Sequence, residues 1–290
     1  MRTAVMTDSN SGITEKEAQE LGIFLLPMPV IIEDEIHYEG QDLTQESFYQ
    51  SLTSGKNITT SQPSPGDVIA MWEKILQEGY DQVVHIPMSS GLSNSCETAM
   101  SLSDEYEGRV CVVDNHRISV PMRESVLDAV EMAKEGKTAE EIRKKLENTA
   151  YDASIYIAVD TLEFLKKGGR VTPAGAALGA VLSIKPILTI QGDKLDAFAK
   201  VRGMKKCRHK MIEAIREEMN TRFADVERGR LVIGTAGAGL SREEEEQWKN
   251  EVADAFPQMA VYYNPLSVSI GCHLGPGAMG IAVCVKNRKD

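Results

Sequence analysis

From residue 3 to residue 149 the chain alternates short apolar runs, each closed by a polar turn, with amphipathic stretches of helical length. The apolar runs cover 3–6, 23–32, 82–88 and 109–114, and the helical stretches cover 44–54, 68–78, 118–134 and 138–149, with a further helix starting at Cys96. Strands that alternate with helices pair in parallel, because each helix carries the chain back across the sheet. Local chemistry agrees. Thr44 is placed to cap the first of these helices, and Ser64 with Pro65 opens the second. A second set follows, with a strand at 155–159 and a helix at 161–167 capped by Asp160 and closed by Gly168-Gly169. A hairpin over 186–199 turns at Gln191-Gly192-Asp193, and a long helix spans 204–222. Ser241 and Glu244 form a capping box, and the last strand, 281–286, follows a Gly-rich loop at 271–280. The expected class is α/β, with two α/β domains at 1–151 and 152–290 and no linker-like composition between them.

The 290 residues, 42% of them hydrophobic, suffice for a sizeable core. A net charge of -11 argues against nucleic acid as a partner, since phosphate binding needs a basic surface. The longest apolar run, 23–32, contains Pro27 and Pro29 and falls short of the about 20 residues that span a bilayer. The first residues lack a secretory apolar region, so a cytoplasmic location is expected. Five scattered cysteines without a C-x-x-C pair indicate neither a disulfide framework nor a metal site.

Four polar turns stand out: Asp8-Ser9-Asn10-Ser11, the stretch from Thr59 and Thr60 to Ser64, Ser89-Ser90-Gly91-Leu92-Ser93-Asn94-Ser95, and Gly271-Cys272-His273-Leu274-Gly275-Pro276-Gly277. The third lies between an apolar strand and a helix start. Such a junction gathers free N–H groups, and serine adds hydroxyl donors. This loop itself contains no Lys, no Gly-Lys-Ser/Thr and no Gly-x-Ser-x-Gly, so it suits an anionic head group better than a nucleoside triphosphate or a nucleophilic attack. Ser9 and Ser64 are explained as helix caps, whereas one cap does not use up three serines around Ser93. His273 between glycines is either structural or turned to a ligand, and Cys272 beside it suits packing. Arg170 and Arg202 belong to basic islands in an acidic chain. Arg202 precedes a helix, where helix-end charge does not explain a cation, so a phosphate or an acidic partner is its expected contact. Gly234-Thr235-Ala236-Gly237-Ala238-Gly239 has the wrong spacing for a dinucleotide loop and reads as a tight strand–helix turn.

Together, Thr7-Asp8-Ser9, Thr60-Ser61-Gln62-Pro63-Ser64, Ser89-Ser90-Gly91-Leu92-Ser93, Val113-Asp114, Leu165-Lys166-Lys167-Gly168-Gly169-Arg170, Lys185-Pro186-Ile187-Leu188 and His273-x-Gly275-Pro276-Gly277 resemble the DegV family over essentially the whole chain. These are bacterial fatty-acid-binding proteins, the FakB-type subunits of fatty acid kinase. The resemblance implies a lipid-binding carrier without catalytic activity of its own. Its ligand is a long-chain fatty acid in a tunnel between and within two α/β domains, and it needs no cofactor or metal. The carboxylate site falls on Thr60, Ser61, Ser90, Ser93, Asn94 and His273. An ATP-dependent kinase subunit phosphorylates that carboxylate, the acyl phosphate feeds phospholipid synthesis, and Arg170 and Arg202 are expected to face that partner. Asn94 stands where the family usually has glycine, as a residue that tolerates left-handed backbone. The small and apolar residues of 171–190 are expected to line the tunnel. Two other functions compete: a serine hydrolase using Ser93 and His273, which lacks an identifiable third carboxylate, and a phosphotransferase-type component with a phosphorylated histidine.

Overall fold

The computed structural model describes residues 1–177, 184–192 and 194–288. In chain order the first part comprises β1 (Thr3–Asp8), α1 (Glu15–Leu21), β2 (Phe24–Leu26), β3 (Pro29–Ile32), β4 (Glu35–Tyr38), α2 (Gln45–Thr53), β5 (Ile58–Thr60), α3 (Pro65–Gln77), β6 (Gln82–Ile86), α4 (Ser95–Ser103), β7 (Val110–Val112), α5 (Ser119–Lys134) and α6 (Ala139–Asn148). There follow β8 (Ala153–Ala158), α7 (Glu163–Gly168), α8 (Pro173–Ala176), β9 (Ile184–Ile190), β10 (Asp196–Arg202), α9 (Met204–Asn220), β11 (Leu231–Gly237), α10 (Arg242–Ala255), β12 (Val261–Tyr263), α11 (Val268–Leu274) and β13 (Met279–Val285).

The first sheet is the parallel one that the strand–helix alternation predicts, in the order β2-β1-β6-β7. Both faces are buried, as parallel sheets require. Met6 and Val83 pack with Trp72 and Ile75 of α3 on one side. Val5 and Val84 pack with Val126 of α5 and Ile142 of α6 on the other. The predicted caps form: Thr44 accepts the Ser47 N–H and Ser64 accepts the Asp67 N–H.

Residues 23–32 do not make one strand. Pro27 has no N–H to continue a ladder, so the parallel strand ends at Leu26. Residues 29–32 instead enter a separate antiparallel sheet in the order β4-β3-β5. Thr59 and Thr60 lie in β5, paired with Ile31 and Val30, and not in a turn.

The third sheet is mixed, in the order β10-β9-β8-β13-β11-β12, with only β11 and β12 parallel. Every strand up to β7 belongs to the first two sheets, and every strand from β8 onward to the third. One face of the third sheet is buried under α9 and α10 through Met211, Ile215 and Trp248. The other face presents Ile157, Leu188, Ile190 and Ala236 to residues of the N-terminal part, among them Met28, Met88, Leu92, Ile118 and Met122.

Three further sequence expectations are corrected. Helix α7 starts after Leu162 without a side-chain cap, and Asp160 is paired with Lys185 instead. Strand β11 runs through Gly237 where a turn is expected, because the absence of a side chain there leaves room for Leu240, which a Cβ would approach to 2.2 Å. His273 sits on α11, not in a loop. Ser267 caps that short helix by accepting the Ile270 N–H, and Gly275 ends it. Within the expected small-residue stretch, 178–183 lies outside the described residues, as does Asp193 of the hairpin turn. No helix among the described residues is long and apolar enough to cross a membrane.

Candidate functional site

A cavity with about 90 Å³ of room for the centre of a water-sized sphere lies between the third sheet and the N-terminal part of the chain. Its body is apolar. The first turn of α5 with the residue before it (Ile118, Val120, Pro121), Met28, Met88, Leu92, Ile155, Ile157, Ile190, Ala236 and Ala282 line it. Its polar side chains come mostly from separate segments: Thr60 at the end of β5 with Ser61 and Gln62 after it, Ser93 before α4, Ser119 at the start of α5, Arg170 after α7, and Ser269 and His273 on α11. Thr60, Ser61, Gln62, Leu92, Ser93 and Arg170 also line a larger, open, polar hollow of about 480 Å³ by the same measure. The apolar cavity and the polar hollow therefore share a wall made of these residues.

His273 lines the cavity beside this wall. Its Nε2 lies 2.8 Å from Thr60 Oγ1. Its Nδ1 side faces Gly168, where a Cβ would come within 2.1 Å of Nδ1, so only glycine lets the ring sit there. Burial, with the Arg170 charge adding to it, pushes the imidazole down to about 4. The ring is thus neutral near pH 7 and offers one donor or one acceptor, while Arg170 supplies the fixed positive charge. The Arg170 guanidinium is held by the carbonyls of Leu92, to which Nε donates at 3.3 Å, and of Gly168.

The serine loop divides its labour. Ser89 is spent on structure: its hydroxyl donates to the Gly192 carbonyl at 2.6 Å and accepts the Gly91 N–H at 3.2 Å. Ser93 Oγ accepts the Ser95 N–H at 3.2 Å, which leaves its proton to give. The loop is anchored from below by Asp8, whose two oxygens accept the Met88 and Asn10 N–H groups, each at 2.8 Å. Asn10 in turn accepts from Ser267 and Ser269 at 2.7 Å, tying the same framework to α11. The Asp8–Ser11 turn is therefore a structural brace and not part of the cavity wall. Burial pushes the Asp8 carboxyl up to about 6 despite these bonds.

Of the residues singled out in the sequence, Thr60, Ser61, Ser93 and His273 meet at the cavity. Ser90 and Asn94 line only the outer hollow. Asn94 has φ -73°, so its tolerance of left-handed backbone is not used. Arg170, expected to face a partner, lines the cavity as well as the hollow. Arg202 is the last residue of β10, exposed, and lines neither. Among the described residues of 171–190, only Ile190 lines the cavity. The lining comes instead as single residues from many strands and helix ends, a pattern with no local signature in sequence. Lys194, Gln62 and the α5 terminus escaped sequence reading for the same reason. No group of three or more His, Cys, Asp or Glu among the described residues is placed to hold a metal.

An apolar cavity edged by hydroxyl, imidazole and guanidinium groups has the form of a small-molecule pocket. The family model described as "Uncharacterised protein, DegV family" matches residues 2–286. The chain belongs to the DegV family. It is 32% identical over 285 residues to a DegV domain-containing protein of Deinococcus radiodurans, covering 98% of each chain. The structure is similar to that of a DegV family protein from Thermus thermophilus described as fatty acid binding, with a TM-score of 0.88 at 31% identity, covering 98% of this chain and 100% of that one. It is also similar to DegV from Bacillus subtilis, described as a fatty acid binding protein, with a TM-score of 0.85 at 30% identity over 99% of this chain and 100% of that one. The mixed α/β fold is that of these DegV structures.

Proposed function

We propose that this protein binds a long-chain fatty acid, with the acyl chain in the apolar cavity and the carboxylate at Thr60, Ser61, Ser93 and His273. The observation that carries this reading is the polar wall of Thr60, Ser61, Gln62, Ser93 and Arg170 shared by an apolar cavity and a polar hollow, with His273 bonded to Thr60 on the cavity side. A carboxylate leaving water needs several hydrogen bonds and a nearby cation to offset its desolvation, and this wall supplies both. Relatives of the same fold at 31% and 30% identity, described as fatty acid binding, support it.

The finer reading is that the protein is a carrier without catalytic activity or cofactor, working in the cytoplasm. It presents the carboxylate through the hollow to an ATP-dependent kinase subunit, and the acyl phosphate enters phospholipid synthesis. Ser90, Asn94 and Arg170, which line the hollow, then face the transferred phosphoryl group, and Arg202 faces the kinase. Two α/β domains, 1–151 and 152–290, embrace the chain in this reading, since both contribute lining residues. The hydrolase alternative is disfavoured by His273, whose Nε2 meets Thr60 and whose burial makes it a weak base.

Protein purified from bacteria is expected to appear in native mass spectrometry as an intact one-to-one complex and, when denatured and extracted, to release one equivalent of free fatty acid. Protein that stays unliganded after incubation with excess palmitate and oleate contradicts the proposal.

A further inference from the structure

We infer that Gly280 sets the width of the acyl chain that the cavity admits, an inference that rests on the proposed fatty acid site. On the cavity-facing side of the third sheet the residues lie in two ranks. Gly280 pairs with Ile157 and Ala236 in one, and Ala282 pairs with Ile155 and Gly234 in the next. The β8 part of this floor is branched and bulky, while the β13 and β11 part is bare. Bare positions can exist for the fold or for a ligand, and glycine contacts separate the two. At Gly234 a Cβ would press to 2.6 Å from Val120, so α5 requires that glycine. At Gly280 the nearest atoms to a Cβ are 3.6 Å away, on Ile157 and the Tyr156 carbonyl, and the backbone has no positive φ.

The fold therefore does not need glycine at 280, and a strand loses stability by having one. A glycine inside a strand marks a place where something approaches the backbone closely, and here the space above it is the cavity. Nor can the strand yield. On the opposite face, Trp248 Nε1 donates to the Gly280 carbonyl at 2.8 Å, and β13 is paired on both sides. A side chain added at 280 projects into the space of the chain and stays there.

The test is the affinity of Gly280→Ala and Gly280→Val for palmitate, a straight chain, and oleate, whose cis bond sweeps a wider path, with thermal unfolding measured alongside. Gly280→Ala is expected to weaken oleate about tenfold and palmitate less than threefold, as overfilling a packed site does. Gly280→Val, if folded, loses both. Unchanged affinities in Gly280→Ala, or equal losses for the two chains, overturn the inference. Failure of the unmodified protein to bind either chain instead overturns the fatty acid reading itself, so the two failures are distinct. Should Gly280→Val not fold, the oleate-to-palmitate ratio in Gly280→Ala decides alone.

Discussion

Thr60→Val combined with Ser93→Ala is expected to lower palmitate affinity at least about a hundredfold and to leave methyl palmitate affinity within about threefold of the unmodified protein. A hydrogen bond to a charged group contributes about 1.5–3 kcal/mol, and two of them exceed the roughly 2.7 kcal/mol that a hundredfold represents. The effects share one ligand and do not simply add. Thr60→Val also releases His273 Nε2 from its 2.8 Å contact, so the ring loses the partner that orients it. The ester has no charge for the wall to hold, and its retained binding separates loss of the head-group site from loss of the fold. Isothermal titration with both ligands reads the difference. Equal losses for acid and ester point to a collapsed cavity rather than a missing clamp.

Acidification is the second large effect. Burial pushes the His85 imidazole down to about 3, and neither of its ring nitrogens meets a protein partner among the described residues. His273 is pushed down to about 4. In the unfolded chain both take up a proton near 6.5. Between 6.5 and these lower values the unfolded chain binds more protons, so stability falls as pH falls, by roughly 1.4 kcal/mol per pH unit for each histidine. Asp8 works against this. Its folded value of about 6 lies above the unfolded 3.8, so between them the folded chain binds the extra proton and gains stability as pH falls. The net slope from these three groups is therefore about one histidine's worth between pH 6 and 4. His85→Leu removes that share. Urea unfolding at pH 7 and pH 4.5 is expected to show a smaller difference for His85→Leu than for the unmodified protein. A difference of the same size assigns the acid sensitivity elsewhere.

Much of this architecture is legible in the sequence where one residue settles one local question. Thr44, Ser64 and Ser241 cap helices because a side-chain oxygen meets an N–H three residues on, and that pairing is written in neighbouring letters. The parallel sheet is legible because strand and helix periods alternate. The antiparallel β3–β5 sheet is not, since its pairing depends on residues about 30 apart, Val30 with Thr60. Helix α11 escapes because glycines at 271 and 275 mark a loop, while Ser267 and the buried faces of Val268 and Cys272 hold a helix of seven residues. The proposed head-group residues Thr60, Ser93 and His273 are read from their chemistry and from family resemblance. The cavity lining is not, because a cavity built from single residues such as Ile118, Ile155 and Ala282 exists only once the sheets are assembled. Arg170 shows the same limit: a basic residue near a helix end reads as surface, and its place on the cavity wall is set by the Leu92 carbonyl, 78 residues away.

The most direct measurement is a crystal structure of the protein with bound palmitate. The account predicts the carboxylate within hydrogen-bond distance of Ser93 Oγ and the Thr60–His273 pair, and the chain passing over Gly280 toward Ala282 beneath the first turn of α5. A chain lying outside the cavity, or one whose carboxylate points toward Gly234 with its methyl end at His273, contradicts it.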